Sequence, residues 1–192
     1  SNALQMLQKA TPMMRNAKTE LDNKAFLTYR LKLLKVQNEI AQNKGEWQVA
    51  AKTLRSMIRY AKEIDHWPTI AEAELGLGSV AIQLKQYDVG ERRINSVLSK
   101  AEEKNDHKNV IDALHLMCVL AWSQGQLDKC EAIAKIGLSK TRPGDISISR
   151  AKILLSMSAT MATRGHLDKA ASGMEEAADI FSKLVRKESH AT

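Results

Sequence analysis

Proline, glycine and aromatic residues are scarce in this sequence. Its 192 residues include three prolines, nine glycines, three tryptophans, three tyrosines and two phenylalanines. Few chain breakers, together with the lack of alternating β-branched residues, predict a chain that is almost entirely helical. No apolar run approaches the roughly 18 residues that a membrane-spanning helix requires, so no membrane span is predicted.

Catalytic signatures are also missing. The sequence has no glycine-rich phosphate loop, no nucleophile elbow and no HExxH motif. The acidic pairs Glu102-Glu103 and Glu175-Glu176 are typical of solvated helix faces. We therefore expect that the protein is not an enzyme and needs no cofactor.

Cysteine is limited to two residues, Cys118 and Cys130. So few cysteines in a helical chain favour a reducing compartment, and hence a cytoplasmic protein. Together with His115 they form a conceivable set of metal ligands. Structural zinc sites normally have four ligands with close C-x-x-C spacings, and a fourth is available only if Asp112 turns inward. The alternative is that two small buried residues meet where helices touch, and we expect no metal.

The charge balance is basic but dispersed. The sequence has 29 Lys and Arg residues against 22 Asp and Glu residues, a formal charge of +7. Proteins that bind single-stranded nucleic acid usually combine a positive groove with aromatic stacking platforms. With few aromatic residues and no basic cluster, nucleic-acid binding is not expected.

A period of forty residues organises what is present. The stretch from Leu75 to Ala101 can be overlaid on the rest of the chain in steps of forty. One column holds Asn38, Gly78, Cys118 and Ser158, and another holds Ala50, Gly90, Cys130 and Ala170. A turn repeats in the same frame as GEWQVA from Gly45, KQYDVG from Lys85, GQLDKC from Gly125 and GHLDKA from Gly165. Self-similarity at such a period is typical of solenoids built from stacked supersecondary units.

The residues Leu77-Gly78, Ala81, Gln86-Tyr87-Asp88 and Gly90 resemble the tetratricopeptide repeat, and GQLDKC and GHLDKA resemble its turn. The resemblance extends from about residue 23 to residue 187. The usual repeat has about 34 residues, so this sequence resembles a long-period variant rather than HEAT or armadillo repeats. The resemblance implies an all-α fold, a right-handed superhelical array of antiparallel helix pairs (a TPR-like α-solenoid).

The frame also predicts how the chain is divided. Residues 1–3 are expected to be an expression scar, residues 4–21 a partial repeat helix and residues 189–192 a tail. Between them we expect four helical hairpins at about 22–65, 66–105, 106–144 and 145–188. The clearest break is Pro143-Gly144-Asp145, where Asp145 is a candidate helix cap.

The resemblance implies a concave groove lined by the first helix of each hairpin. Its lining residues would be Lys35, Glu39, Leu75, Ser79, Ile82, Asp112, His115, Val119, Trp122, Lys152, Leu155 and Ala159. One column of charges has a second interpretation, in which Lys32 pairs with Glu72 and Asp112 with Lys152 between neighbouring repeats. Such exposed ion pairs contribute about 0 to 1 kcal/mol each.

The richest part of this groove is expected around Trp122, with aliphatic walls from Val119 and Leu155 and space beside Ala159. A partly exposed tryptophan is a favoured anchor for binding. The resemblance therefore implies a scaffold that binds a peptide or helix of a partner protein. The alternative is a signal- or peptide-sensing module of a multidomain bacterial transcription regulator, because the sensor regions of such regulators resemble long-period repeats.

Overall fold

The computed structural model describes residues 23–189, with side chains described to residue 186. The helices are α1 (Asn23–Asn43), α2 (Trp47–Glu63), α3 (Trp67–Gln83), α4 (Tyr87–Glu103), α5 (His107–Ser123), α6 (Leu127–Ser139), α7 (Ile148–Thr163) and α8 (Leu167–Ser189). No strand occurs between residues 23 and 189, so the all-α prediction is confirmed there. The predicted scar, partial repeat helix and end of the tail lie outside the described residues.

The chain forms two compact units, the first ending at Gln86 and the second beginning at Tyr87. The N-terminal unit contains α1 to α3, with α2 packed against both other helices. The C-terminal unit contains α4 to α8. In it α5 packs against α4, α6 and α7, and α7 packs against α6 and α8. Helix α5 therefore contacts the next first helix, α7, as well as its hairpin partner α6.

The turns between helices, apart from the α6–α7 loop, share one hydrogen-bonding pattern. A residue with positive φ closes each turn, for example Gly45 and Gly125. The next N–H reaches back to the carbonyl of a buried alanine, from Glu46 to Ala41 and from Gln126 to Ala121, at 2.8 Å in both cases. This is the geometry of a Schellman cap. Residues in the left-handed conformation lie at Gly45, Asp65, Lys85, Asn105, Gly125, Gly144 and Gly165.

The loop between α6 and α7 differs from the sequence prediction. Asp145 does not cap α7. The hydroxyl of Ser147 accepts a hydrogen bond from the N–H of Arg150 at 3.3 Å and is the N-cap. Asp145 instead accepts a hydrogen bond from the Ser147 hydroxyl at 3.0 Å. The predicted cap was wrong because α7 begins two residues later than the Pro-Gly-Asp break suggests.

The N-terminal unit has a core centred on α2. Its apolar residues lie at helical spacing, so one face of α2 is buried against α1 and α3. Leu54, Met57 and Ala61 are fully or almost fully buried on that face. Helix α3 approaches closely at Gly76, where an added Cβ would lie 2.9 Å from a methyl carbon of Leu54. The missing side chain therefore lets the two helices touch.

In the third hairpin, Cys118 of α5 meets Cys130 of α6, as the sequence columns predict. The Cys118 thiol donates a 3.6 Å hydrogen bond to the carbonyl of Cys130, and both side chains are free thiols buried in the unit. The contact with the Cys130 thiol, together with burial, raises the pKa of Cys118. A thiol held neutral in this way behaves as a small apolar residue.

The last hairpin contains a close contact between α7 and α8. Ala151 and Leu154 of α7 pack against Ala177 and Ile180 of α8. At Gly173 an added Cβ would lie 2.3 Å from the Ser158 hydroxyl oxygen but 3.6 Å from the Ser158 Cβ. That hydroxyl is buried and has no hydrogen-bond partner among the described residues.

We expect Ser158→Ala to raise the free energy of unfolding by about 1 kcal/mol, because it removes a buried, unpaired hydroxyl. Gly173→Ala alone should gain little, since the clash offsets the roughly 1 kcal/mol that alanine gains over glycine in a helix. In the Ser158→Ala background, Gly173→Ala should raise the free energy of unfolding by the full amount of roughly 1 kcal/mol. Urea unfolding of the four proteins measures this coupling, and an equal gain in both backgrounds would contradict the close contact.

Candidate functional site

A small cavity opens between α5 and α7 in the C-terminal unit. It has a volume of about 280 Å³ and is lined by Cys118, Val119, Trp122, Cys130, Leu155, Ser156 and Ala159. We call it the α5–α7 cavity. Four of these residues, Val119, Trp122, Leu155 and Ala159, are ones that the sequence places in the groove. Because α5 and α7 are neighbouring first helices in contact, residues forty apart come together.

The mouth of the cavity is apolar and exposed. Trp122 is 49% exposed and Leu155 is 40% exposed, although both are large apolar side chains. The indole N–H of Trp122 donates a long hydrogen bond of 3.5 Å to the hydroxyl of Thr163 on α7. That hydroxyl in turn donates to the carbonyl of Ala159 at 2.8 Å. The indole is therefore held over α7 while much of its surface stays open.

His115 lies next to this cavity and is part of its polar border. One ring nitrogen lies 2.9 Å from the hydroxyl of Ser156, which lines the cavity. Burial, assisted by the positive charge of Lys152, lowers the pKa of His115 to about 4, although Asp112 opposes the shift. The imidazole is therefore neutral at physiological pH. The sequence frame pairs His115 with Leu155, and the contact with Ser156 one residue further on was not predicted.

Asp112 lies at the end of this border, in a cluster of polar groups. It is buried and accepts hydrogen bonds from Lys108 at 2.9 Å, Ser149 at 3.1 Å and Lys152 at 3.4 Å. Burial raises the pKa of this carboxyl, but the hydrogen bond from Lys108 and the charge of Lys152 outweigh it, so the pKa is lowered. The structure therefore contains the ion pair between Asp112 and Lys152 that the second interpretation of the sequence proposed.

The N-terminal unit contains the remaining candidates. Lys35 forms an ion pair with Glu72 at 2.7 Å, whereas the sequence suggested Lys32 for that role. The ammonium of Lys32 lies 5.5 Å from the ring centre of Tyr29 instead. Lys35 is one helical turn further along α1 than Lys32, which is enough to change the partner. Both lysines line a cavity of about 470 Å³ that also contains Glu72.

The other candidates of this unit differ in exposure. Glu39 is exposed and Ser79 is half-buried. Leu75 and Ile82, however, are 6% and 4% exposed. Their side chains therefore offer little surface to a ligand.

Metal binding was the other role that the sequence left conceivable for His115 and the cysteines. Within residues 23–186, no group of three or more His, Cys, Asp or Glu side chains is placed to hold a metal ion. Of the conceivable ligands, His115 points to Ser156, and Cys118 points to the Cys130 carbonyl.

Among the described residues, no helix is long and apolar enough to cross a membrane.

The state of His115 predicts how stability depends on pH. Because its pKa is about 4 when folded and 6.5 ordinarily, the unfolded chain takes up the proton first as pH falls. The stability that comes from keeping His115 neutral is fully present above about pH 6.5 and is lost as the pH falls towards about 4. Between about pH 7.5 and 5.5, we expect the free energy of unfolding to fall by about 1 kcal/mol more in the parent than in His115→Gln.

Urea unfolding at the two pH values measures this difference. The two proteins differ only at residue 115, so every other group is common to both and the comparison isolates His115. Asp112, whose pKa is lowered, loses its contribution only as the pH falls through the ordinary carboxyl range, which is more acidic than either test value. Equal losses in parent and variant would show that His115 is not held neutral by the fold.

Solved structures of other proteins share this architecture. No protein-family model matches the sequence, and no curated protein matches it significantly. Among solved structures, BtubC (BKLC) from P. vanneervenii is similar with a TM-score of 0.63 and 16% identity, over 93% of this chain and 74% of BtubC. A kinesin light chain-like protein of Podosopora anserina with nearly identical TPR-like repeats has a TM-score of 0.57 and 14% identity, over 95% of this chain and 88% of its own.

These similarities define the class of fold. The structure is a TPR-type helical repeat, an all-α solenoid, as the resemblance in the sequence implied. At such low identity the likeness extends to the fold and not to a partner or an activity. The function must therefore be inferred from the site of this chain.

Proposed function

We propose that this chain is a non-catalytic interaction scaffold that binds a peptide segment or helix of a partner protein. The α5–α7 cavity would receive one apolar side chain of that partner. The observation that carries this proposal is an open cavity lined almost entirely by carbon and sulfur, beside a half-exposed tryptophan. Such apolar pockets with a large aromatic anchor are typical of the energetic centre of an interface.

The size of the cavity favours a side chain over a small-molecule ligand. At about 280 Å³ it lies at or below the lower end of the roughly 300 to 1,000 Å³ of small-molecule sites. The two small residues Ser156 and Ala159 leave the space, and Leu155 and Val119 supply the walls. A single leucine, methionine or aromatic side chain is the occupant that this volume fits best.

Electrostatics also favour an apolar occupant. The cavity itself carries no charged side chain, and His115 at its border is neutral at physiological pH. Charging a group beside the cavity would cost more than in water because of the low local dielectric. Lys152 and Asp112 already bind each other at 3.4 Å, so they would orient a peptide by their field rather than by direct pairing.

Selection from random peptides tests the proposal directly. The peptides are selected on the immobilised chain, and the selected sequences are expected to share one large apolar residue. Their affinities are then measured by calorimetry for the parent and for Ala159→Leu, whose added side chain fills the cavity. We expect Ala159→Leu to weaken binding by at least about tenfold, equivalent to about 1.4 kcal/mol.

Ala132→Leu is a matched control, because Ala132 is an exposed alanine of α6 that does not line the cavity. It should leave the affinity unchanged, and both variants should melt close to the parent temperature. Selected peptides that bind Ala159→Leu as tightly as the parent would place the binding site elsewhere. Peptides without a common apolar residue would contradict the proposed mode of recognition.

A further inference from the structure

An exposed apolar stripe runs the length of α8. It consists of Leu167, Ala171, Met174, Ala178, Phe181 and Val185, whose spacing of four and three residues places them on one side of the helix. All six are exposed, and Leu167 and Val185 are 67% and 66% exposed. Ala177 and Ile180 pack against α7 on a separate face of α8. That face is rotated from the stripe, about the helix axis, by roughly the angle between consecutive residues.

The same face is covered in earlier second helices. Met174, which is 44% exposed, corresponds in the forty-residue frame to Leu54, Ile94 and Ala134, which are 2%, 0% and 0% exposed. In α2 the covering element is α3, whose Gly76 lies against Leu54. Among the described residues no helix follows α8, so its stripe has the character of a helix-packing surface without a helix on it.

From this stripe we infer that α8 is a self-association surface, on which α8 of a second copy of the chain packs in antiparallel orientation. The order of large and small residues carries the inference. With the two-fold axis at position 176, the pairs would be Leu167 with Val185, Ala171 with Phe181 and Met174 with Ala178. Both alanines then meet a large side chain, so the stripe complements itself along about 27 Å of helix.

Charges beside the stripe must also be compatible with this orientation. The border that faces away from α7 carries Asp168 and Glu175 in its first half and Arg186 at its end. Antiparallel packing brings Asp168 of one copy to within about two residues, roughly 3 Å along the axis, of Arg186 in the other. The same packing brings the two copies of Glu175 equally close, whereas parallel packing would place Phe181 against its own copy. The attraction at Asp168 and the repulsion at Glu175 offset one another, so it is the order of large and small side chains that favours the antiparallel pair.

The size of the surface indicates how strong the association should be. A single pair of helices over five turns is a small interface, so a weak dimer in the micromolar range is expected rather than an obligate one. The stripe is in the C-terminal unit, on α8, whereas the α5–α7 cavity is formed by α5, α6 and α7. Self-association through α8 therefore does not depend on the proposed peptide site.

The test is sedimentation of the intact chain over a wide range of micromolar concentrations. The parent should form a dimer, and Met174→Glu should weaken it by at least about tenfold. Ser172→Glu adds the same charge to an exposed residue on the far side of α8 and should leave the dimer intact. Thermal melting of each variant shows that it is folded.

A size exchange tests the register. Ala171→Phe should crowd the pair and Phe181→Ala should leave a gap, so each should weaken the dimer. Together they restore one large and one small residue at each contact, and the double variant should dimerise more tightly than either single variant. A parent that is monomeric at every concentration measured would overturn the inference. The stripe would then be a surface for a helix of another protein. A double variant no better than the single ones would overturn the antiparallel register.

Discussion

Glu176→Gln is expected to lower the free energy of unfolding by about 2 to 3 kcal/mol, because it leaves a buried guanidinium without its counter-charge. Arg150 is buried at the start of α7, and its Nε and Nη2 atoms both donate to one Glu176 oxygen, at 2.9 and 2.6 Å. Its Nη1 atom donates to the hydroxyl of Thr141 at 2.6 Å. The expected loss is below the 3 to 5 kcal/mol of a fully buried pair because the Glu176 side chain is 42% exposed.

The position of this network explains why it matters. Thr141 lies just after α6, Arg150 is in the first turn of α7, and Glu176 is in α8. Arg150 therefore connects the longest loop of the described chain to the two helices that follow it. Breaking the pair releases a constraint on both sides of the loop as well as the charge interaction itself.

Asp179→Asn on the same helix is the matched control. Asp179 pairs with Lys183 at 2.6 Å, but both side chains are about half exposed and lie one turn apart. Such pairs contribute about 0.3 to 0.5 kcal/mol. Urea unfolding of the two variants at neutral pH should therefore separate them clearly. Similar small losses in both would show that the Arg150 network contributes no more than a surface ion pair.

The helical hairpins were predictable because several local signals agree. Small residues at helix contacts, few chain breakers and a recurring turn motif all indicate one arrangement. The structure adds the reason for the alanine before three of the four repeated turns, the fourth having Met161. Ala41 and Ala121 are buried at the point where their carbonyls accept the capping hydrogen bond, so the turn and the core use the same position.

The Arg150 network was not predictable in the same way. Glu176 belongs to an acidic pair that is typical of a solvated face, and it is exposed, but it also binds Arg150, which that interpretation did not predict. The two residues are 26 positions apart, which is not a multiple of the forty-residue frame. A repeat frame relates equivalent positions in successive units, whereas this contact is between inequivalent positions.

The candidate site shows the same limit. The frame places Val119 beside Ala159, and the structure brings both to one cavity together with Trp122 and Leu155. It did not predict that Ser156 and the two cysteines would complete the lining. Those residues enter through the rotation of α5, α6 and α7 about their axes, which depends on how the side chains pack. Sequence spacing gives the neighbouring helices but not that rotation.

Trp122→Ala is expected to weaken binding of a peptide selected on this chain by at least about 2 kcal/mol, roughly thirtyfold, as for the truncation of an interface anchor. The stability should change little, because the indole is half exposed and its single described hydrogen bond, to Thr163, is long. Removing it takes away contact area for the partner but leaves no deep cavity in the unit. The affinity and the melting temperature are to be measured on the same purified protein.

Trp47→Ala gives the opposite expectation and serves as the control. Trp47 is half-buried and packs against the core of the N-terminal unit, so its loss should lower the melting temperature and leave the affinity of the folded protein unchanged. A large loss of stability in Trp122→Ala would show that Trp122 belongs to the core. An unchanged affinity would show that the partner binds away from the α5–α7 cavity. Loss of affinity at constant stability is the one combination that an anchor on an otherwise preformed surface produces.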